Sequence, residues 1–191
     1  MTASHHRIDH RDQMPARFTA AEFIELVQHP PIVDWSGKTE LVEGEIVRMA
    51  PANVRHWNMQ RIVFLRVQSA LMEAGMEWIV GQEPTVRLAP DTIREPDIAI
   101  LRNPDLTATL FDRTALFLAI EVADTSLAID LGRKRRDYAD ARVPHYWIVD
   151  LNGRCIHIMA DPAGDDYMAR SLVRFGEPLA VPGTDQAIVI D

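Results

Sequence analysis

Two acidic residues interrupt apolar runs that otherwise read as strands. Asp97 heads Pro96-Asp97-Ile98-Ala99-Ile100, and Glu121 sits inside Leu116-Phe117-Leu118-Ala119-Ile120-Glu121-Val122. Acidic side chains are almost never fully buried unless they are paired or bind a metal. Two carboxylates on strands that can lie side by side meet the oxygen-ligand requirement of a hard cation such as magnesium. The plainer alternative is that each accepts hydrogen bonds from a neighbouring helix or pairs with an arginine. Arg94 and Arg102 flank Asp97 in the sequence and could serve.

A third group follows. Residues Ser126 to Ala141 read as a helix that begins just after the Glu121 run. Asp130, Lys134 and Tyr138 are spaced by four and therefore share one face. Lys134 can reach a water or a phosphate as a compact point charge. The bland reading of the same face is a solvated Asp130–Lys134 pair, contributing about 0.3–0.5 kcal/mol. Arg133, Lys134, Arg135 and Arg136 are four consecutive bases. Arg133, Arg135 and Arg136 read as a solvated face or as non-specific phosphate contacts.

The elements that must position these groups are legible in outline. Thr19 and Glu22 form a capping box, with Phe18 and Phe23 at the staple positions, so a short helix runs to about Val27 and stops before Pro30-Pro31. Residues 41–47 read as a hairpin turning near Gly44. Asn53 can cap a long helix whose stripe is Val54, Trp57, Arg61, Phe64, Leu65, Leu71 and Met72, with Gly75 ending it. Strands follow at 78–80, 85–88, 96–101, 115–122 and 143–150. Asn152-Gly153 signals a tight hairpin into residues 154–159, and the remainder reads as short edge strands and turns. The order implies an α/β or α+β domain, a mixed sheet flanked by helices.

Of the 191 residues, 47% are hydrophobic and 25% charged, ordinary for a globular protein. Residues 1–17 read as a disordered polar tail with incidental histidines at 5, 6 and 10, and residues 18–191 as one domain. No apolar run approaches the roughly 18 residues of a membrane span, so no membrane partner and a cytoplasmic location are expected. The single cysteine, Cys155, excludes an intramolecular disulfide framework and a cysteine-based zinc cluster. With 28 acids against 20 bases, the formal net charge is -8. Bulk attraction to nucleic acid is therefore disfavoured, and any such function needs the focused bases at 133–136 or a metal ion.

Taken in order, ELVEGEIVRMAP at 40–51, His56 and Gln60, REPDIAILR at 94–102, AIEVADTS at 119–126 and DLGRKRRDYADARVPHYWIVDL at 130–151 resemble the Uma-type restriction endonuclease family of the PD-(D/E)XK nuclease superfamily. The match runs from Phe18 to about Met159. The resemblance implies a restriction-endonuclease-like core with an N-terminal helix and hairpin. It implies that Asp97 and Glu121, with the Val122 carbonyl, hold magnesium, for which manganese can substitute. The usual lysine position falls on Ala123, and the role passes to Lys134. Glu45 and His56 match recurring family positions, and Glu83 and Tyr138 are further candidates. Asp124-Thr125-Ser126, Arg142 and His145 depart from the family pattern. The function implied is metal-dependent hydrolysis of phosphodiester bonds in nucleic acid, with DNA as the partner. The alternative is a catalytically inactive nucleic-acid- or protein-binding module on the same fold. A homodimer joined through the apolar C-terminal strands is compatible with either.

Overall fold

The computed structural model describes residues 16–28 and 38–191. The expected tail up to residue 15, its histidines and the Pro30-Pro31 stop lie outside the described residues. Helix α1 (Ala20–Gln28) starts as its capping box requires: the Thr19 amide donates to Glu22 at 2.8 Å, and the Glu22 amide donates to the Thr19 hydroxyl at 3.3 Å. Strands β1 (Thr39–Val42) and β2 (Glu45–Arg48) form the expected hairpin. Its two turn residues, Glu43 and Gly44, have φ of 51° and 80°, the mirror-image turn that suits twisted strands. A Cβ on Gly44 would lie 2.7 Å from the Arg17 Cβ, so only glycine fits.

Helix α2 (Val54–Glu73) begins at Asn53, whose side chain accepts from the His56 amide. Its inward face corrects the expected stripe. Met59, Gln60, Val63, Val67, Ala70 and Leu71 are buried, whereas Val54, Trp57, Leu65 and Met72 are exposed, Val54 at 82%. The helix carries two apolar stripes of equal period. Periodicity locates stripes but does not choose which one meets the sheet.

The remaining elements are β3 (Ile79–Gln82), β4 (Val86–Ala89), β5 (Thr92–Arg94), β6 (Ile98–Leu101), β7 (Phe111–Asp112) and β8 (Leu116–Ala123). The expected helix at 126–141 is then a composite: α3 (Leu127–Ile129), a widened π-helical turn (Asp130–Lys134) and α4 (Arg135–Asp140). Strands β9 (His145–Asp150), β10 (Cys155–Ala163), β11 (Asp166–Arg174), β12 (Pro178–Ala180) and β13 (Ala187–Val189) complete the described chain.

Two of these differ from expectation. The β9–β10 connection is four residues, 151–154, with Asp150 paired to Cys155, so Asn152-Gly153 lies within a longer turn. Strand β10 runs past the expected end at Met159 to Ala163, and β11 pairs along it as a nine-residue strand where short edge strands were expected. Exposed side chains along β11 hid its length, because a solvated edge strand needs no apolar alternation.

A mixed six-stranded sheet has the order β11-β10-β9-β8-β6-β3, with β8 and β9 parallel. Parallel neighbours need a crossover, and the α3–α4 segment supplies it. A five-stranded sheet, β2-β1-β5-β4-β7, lies beside it, and β12 pairs with β13. One face of the six-stranded sheet packs Ile98, Ile100, Ile120, Val122, Trp147 and Val149 against α2. Ile188 and Ile190 join the same core, so the C-terminal apolar pattern is accounted for within the chain itself. The other face carries Ala99, Ala119, Ala123, Tyr146 and Ile148 beneath Tyr138 and Ala139 of α4. The α+β architecture, a mixed sheet flanked by helices, stands as expected.

Candidate active site

The strand register brings the two acids together. Strand β6 runs antiparallel to β8 with Ile98 opposite Ile120, and one further step sets Asp97 opposite Glu121. Opposed residues of an antiparallel pair point to the same face. That face is the one lined by Ala99, Ala119 and Ala123, whose small side chains leave room above the sheet. Asp97 and Glu121 are 5% and 2% exposed.

Each carboxylate is fully engaged. Asp97 Oδ1 accepts from Lys38 Nζ at 3.0 Å, and Oδ2 accepts from the Val122 amide at 2.8 Å and pairs with His56 Nε2 at 3.0 Å. The Asp97 backbone is held as well, its carbonyl accepting from Gln60 Nε2 at 2.9 Å and from the Glu83 amide at 3.2 Å. Glu121 Oε2 accepts from Lys134 Nζ at 2.7 Å, and Oε1 accepts from the Tyr138 hydroxyl at 2.9 Å. Lys134 also faces Asp130 Oδ1 at 3.7 Å. Asp130, Lys134 and Tyr138 do share a face, but it is buried rather than solvated, which corrects the bland reading of the Asp130–Lys134 pair.

The electrostatics of the two acids diverge. Burial opposes ionisation of Asp97, but the His56 hydrogen bond and the Lys38 charge outweigh it and hold the carboxyl well below its ordinary value. Glu121 is pushed up to about 7, chiefly by burial, with Asp97 adding to the rise and Lys134 working against it. Burial would lower Lys134, but Glu121, Glu40 and Asp130 surround it and keep the ammonium charged. His56 is raised by its hydrogen bond to Asp97. His56 Nδ1 and Asp130 Oδ1 are buried without a hydrogen-bond partner. Asp97, Glu121, Glu40 and Asp130 are balanced from within by Lys38, Lys134, Arg94 and His56. The carboxylate oxygens of Asp97 and Glu121 are of the type a hard divalent cation takes.

Other expected residues fall elsewhere. Glu45 is exposed on β2 and pairs with Arg17 at 3.6 Å. Glu83 turns its side chain to solvent and contributes its amide instead. Arg133 pairs with Glu43 at 3.3 Å, Arg135 pairs with Asp166, and Arg136 is exposed, so the three arginines fan apart. Neither arginine considered as a partner for Asp97 takes that role. Arg94 pairs with Glu40 at 2.6 Å and with Asp137, and Arg102 lies over the Phe117 and Trp78 rings.

Lys38 and Glu40 were not anticipated. Glu40 is fully buried on β1, where its carboxylate also accepts from the Glu95 amide at 3.1 Å. The available signal was an acid within the apolar stretch ahead of Gly44. Lys38 had none, because its contact with Asp97 spans 59 residues and two sheets.

Comparison with known proteins bears on this arrangement. A model of the Uma2 family, described as "Putative restriction endonuclease", matches residues 22–189. The chain belongs to the Uma2 family. Among solved structures, this Uma2 chain is similar to a putative nuclease belonging to DUF820 from Anabaena variabilis ATCC 29413. The TM-score is 0.64 at 14% identity, covering 86% of this chain and 89% of that one. That likeness concerns the fold. None of the curated proteins matches. Among the described residues, no helix is long and apolar enough to cross a membrane.

Proposed function

We propose that this Uma2 chain is a magnesium-dependent nuclease that hydrolyses phosphodiester bonds in DNA. The supporting observation is the buried Asp97–Glu121 pair, opposed in register with Lys134 beside it. Asp97, Glu121 and the Val122 carbonyl would hold the ion. Bound magnesium would acidify a water and offset developing phosphate charge, and manganese would substitute for it. Lys134 would leave Glu121 Oε2 to orient the attacking water and stabilise charge in the transition state. The Tyr138 hydroxyl keeps Glu121 oriented through Oε1, and His56 does the same for Asp97. Lys38, displaced from Asp97 Oδ1, would meet a phosphate oxygen. Arg133 and Arg136 would follow the nucleic-acid backbone, and Arg135 could join only by releasing Asp166.

A second reading is favoured by the saturation of both carboxylates. A network this closed also suits a catalytically inactive binding module, its charges neutralised within the protein. The deciding experiment incubates wild type and Asp97→Ala with supercoiled DNA, single-stranded DNA and RNA, in magnesium and in EDTA. Expected are metal-dependent cutting of DNA by wild type and a loss of at least about 100-fold in the variant, about 2.7 kcal/mol in barrier. Wild type that binds DNA without cutting it would establish the module instead.

A further inference from the structure

A second cluster of ligand-type side chains lies at the hairpin end of β9 and β10 and shares no residue with the site above. We infer that Asp150, Cys155 and His157 form a binding site for a transition-metal ion of the zinc class. Cys155 pairs directly with Asp150 across the antiparallel strands, and His157 lies two residues further along β10. Cross-strand partners and i, i+2 neighbours point to one face, so the three side chains converge.

Their ligand atoms all lie within 4.8 Å of one another, and His157 Nε2 is 3.9 Å from both Cys155 Sγ and Asp150 Oδ2. At that length neither contact is a strong hydrogen bond. Zinc bonds of about 2.0–2.3 Å at tetrahedral angles place ligands roughly 3.3–3.6 Å apart, so a small contraction would close the site on an ion.

Two further features look built for a ligand. Asp150 Oδ1 accepts from the amides of Asn152 at 3.0 Å and Gly153 at 2.8 Å, which orients the carboxylate and leaves Oδ2 to face the sulfur and the imidazole. A Cβ on Gly153 would stand 2.4 Å from Asp150 Oδ2 and 3.3 Å from Cys155 Sγ, so the turn packs closely on both ligand atoms and a side chain there would have to displace the Asp150 carboxylate. Asp150 and Cys155 are buried, while His157 is half-buried and gives the ion access and an open fourth position for water. On binding, the Cys155 S–H bond breaks as the metal–sulfur bond forms, and the proton leaves to solvent. The chemistry sorts the two sites: a sulfur–nitrogen–oxygen set selects zinc-class ions, and the Asp97–Glu121 oxygens select magnesium.

The test titrates the metal-free full-length chain with cobalt(II), a spectroscopic probe of zinc sites. Expected is a thiolate-to-cobalt charge-transfer band saturating at one equivalent, bleached by zinc and untouched by excess magnesium. Cys155→Ser should abolish the band, His157→Gln should weaken cobalt binding at least tenfold, and Asp97→Ala should change neither. Histidines of the N-terminal segment cannot mimic the result, since imidazole gives no sulfur band. Thermal melts confirm that each variant is folded, and if Cys155→Ser is not, His157→Gln carries the test alone. Absence of the band in wild type, its survival in folded Cys155→Ser, or unchanged affinity in folded His157→Gln overturns the proposal.

Discussion

The two faces of the six-stranded sheet are built from alternate residues of the same strands, yet they do different work. Toward α2 the strands present Ile98, Ile100, Ile120, Val122, Trp147 and Val149, a large and continuous apolar surface. Toward α4 they present Ala99, Ala119 and Ala123 around Glu121, and the space those alanines leave is filled by Tyr138, Tyr146 and Lys134. The tyrosine hydroxyls are used there: Tyr138 donates to Glu121, Tyr146 to the Asp130 carbonyl and Tyr167 to the Val143 carbonyl. One face supplies cohesion, which tolerates imprecise geometry. The other supplies a buried polar network, in which each unpartnered atom is costly, as Asp130 Oδ1 is.

That contrast can be broken by substitution. Trp147→Ala on the cohesive face should cost about 3–5 kcal/mol in urea unfolding, while the activity per folded molecule stays unchanged. A comparable loss of activity without loss of stability would erase the distinction between the faces. Arg94→Met should cost about 3 kcal/mol, because the buried Glu40 loses its ion-pair partner and Asp137 loses the same one. Adding Glu40→Gln should recover much of that, and simple additivity in the double variant would show that the two side chains act independently.

Tyr138→Phe removes one donor from Glu121 and should cost about 1 kcal/mol in stability. Its mark on turnover should exceed its mark on substrate affinity, and an unchanged turnover number would leave the hydroxyl a purely structural role. The smallest effect belongs to Asp112, on the neighbouring sheet. Its carboxyl is lowered from 3.8 to about 2 by the Thr114 amide, then by Arg87. A depressed carboxyl stabilises the fold above pH 3.8 and loses that contribution as pH falls through 2. Wild type and Asp112→Asn should therefore converge in melting temperature across that window, and parallel curves would refute the linkage.

The polar face was the more legible of the two. Asp97, Glu121 and Lys134 announce themselves because a charge inside an apolar run, or at helical spacing behind it, is a local anomaly. Lys38 and Glu40 belong to the same network but reach it from β1 and the residue before it, and such convergence depends on how two sheets meet. On the cohesive face, the length and caps of α2 follow from Asn53 and Gly75, whereas its inward stripe does not. Trp57 is the largest apolar residue of the helix and yet points outward, since the orientation follows the surface that β6, β8 and β9 offer. The Asp150–Cys155–His157 cluster escaped notice although the two-residue turn would already set Asp150 opposite Cys155, because none of the three residues by itself breaks an apolar run.

The π-helical turn at Asp130–Lys134 carries one residue more than α geometry would hold. Deleting one residue between them would let the segment close into regular α form, with the two ends three apart, a spacing that still shares one face. The flanking helices could then keep their places. Loss of one residue here should therefore cost far less than loss of one within α4, where every later side chain would turn by about 100°.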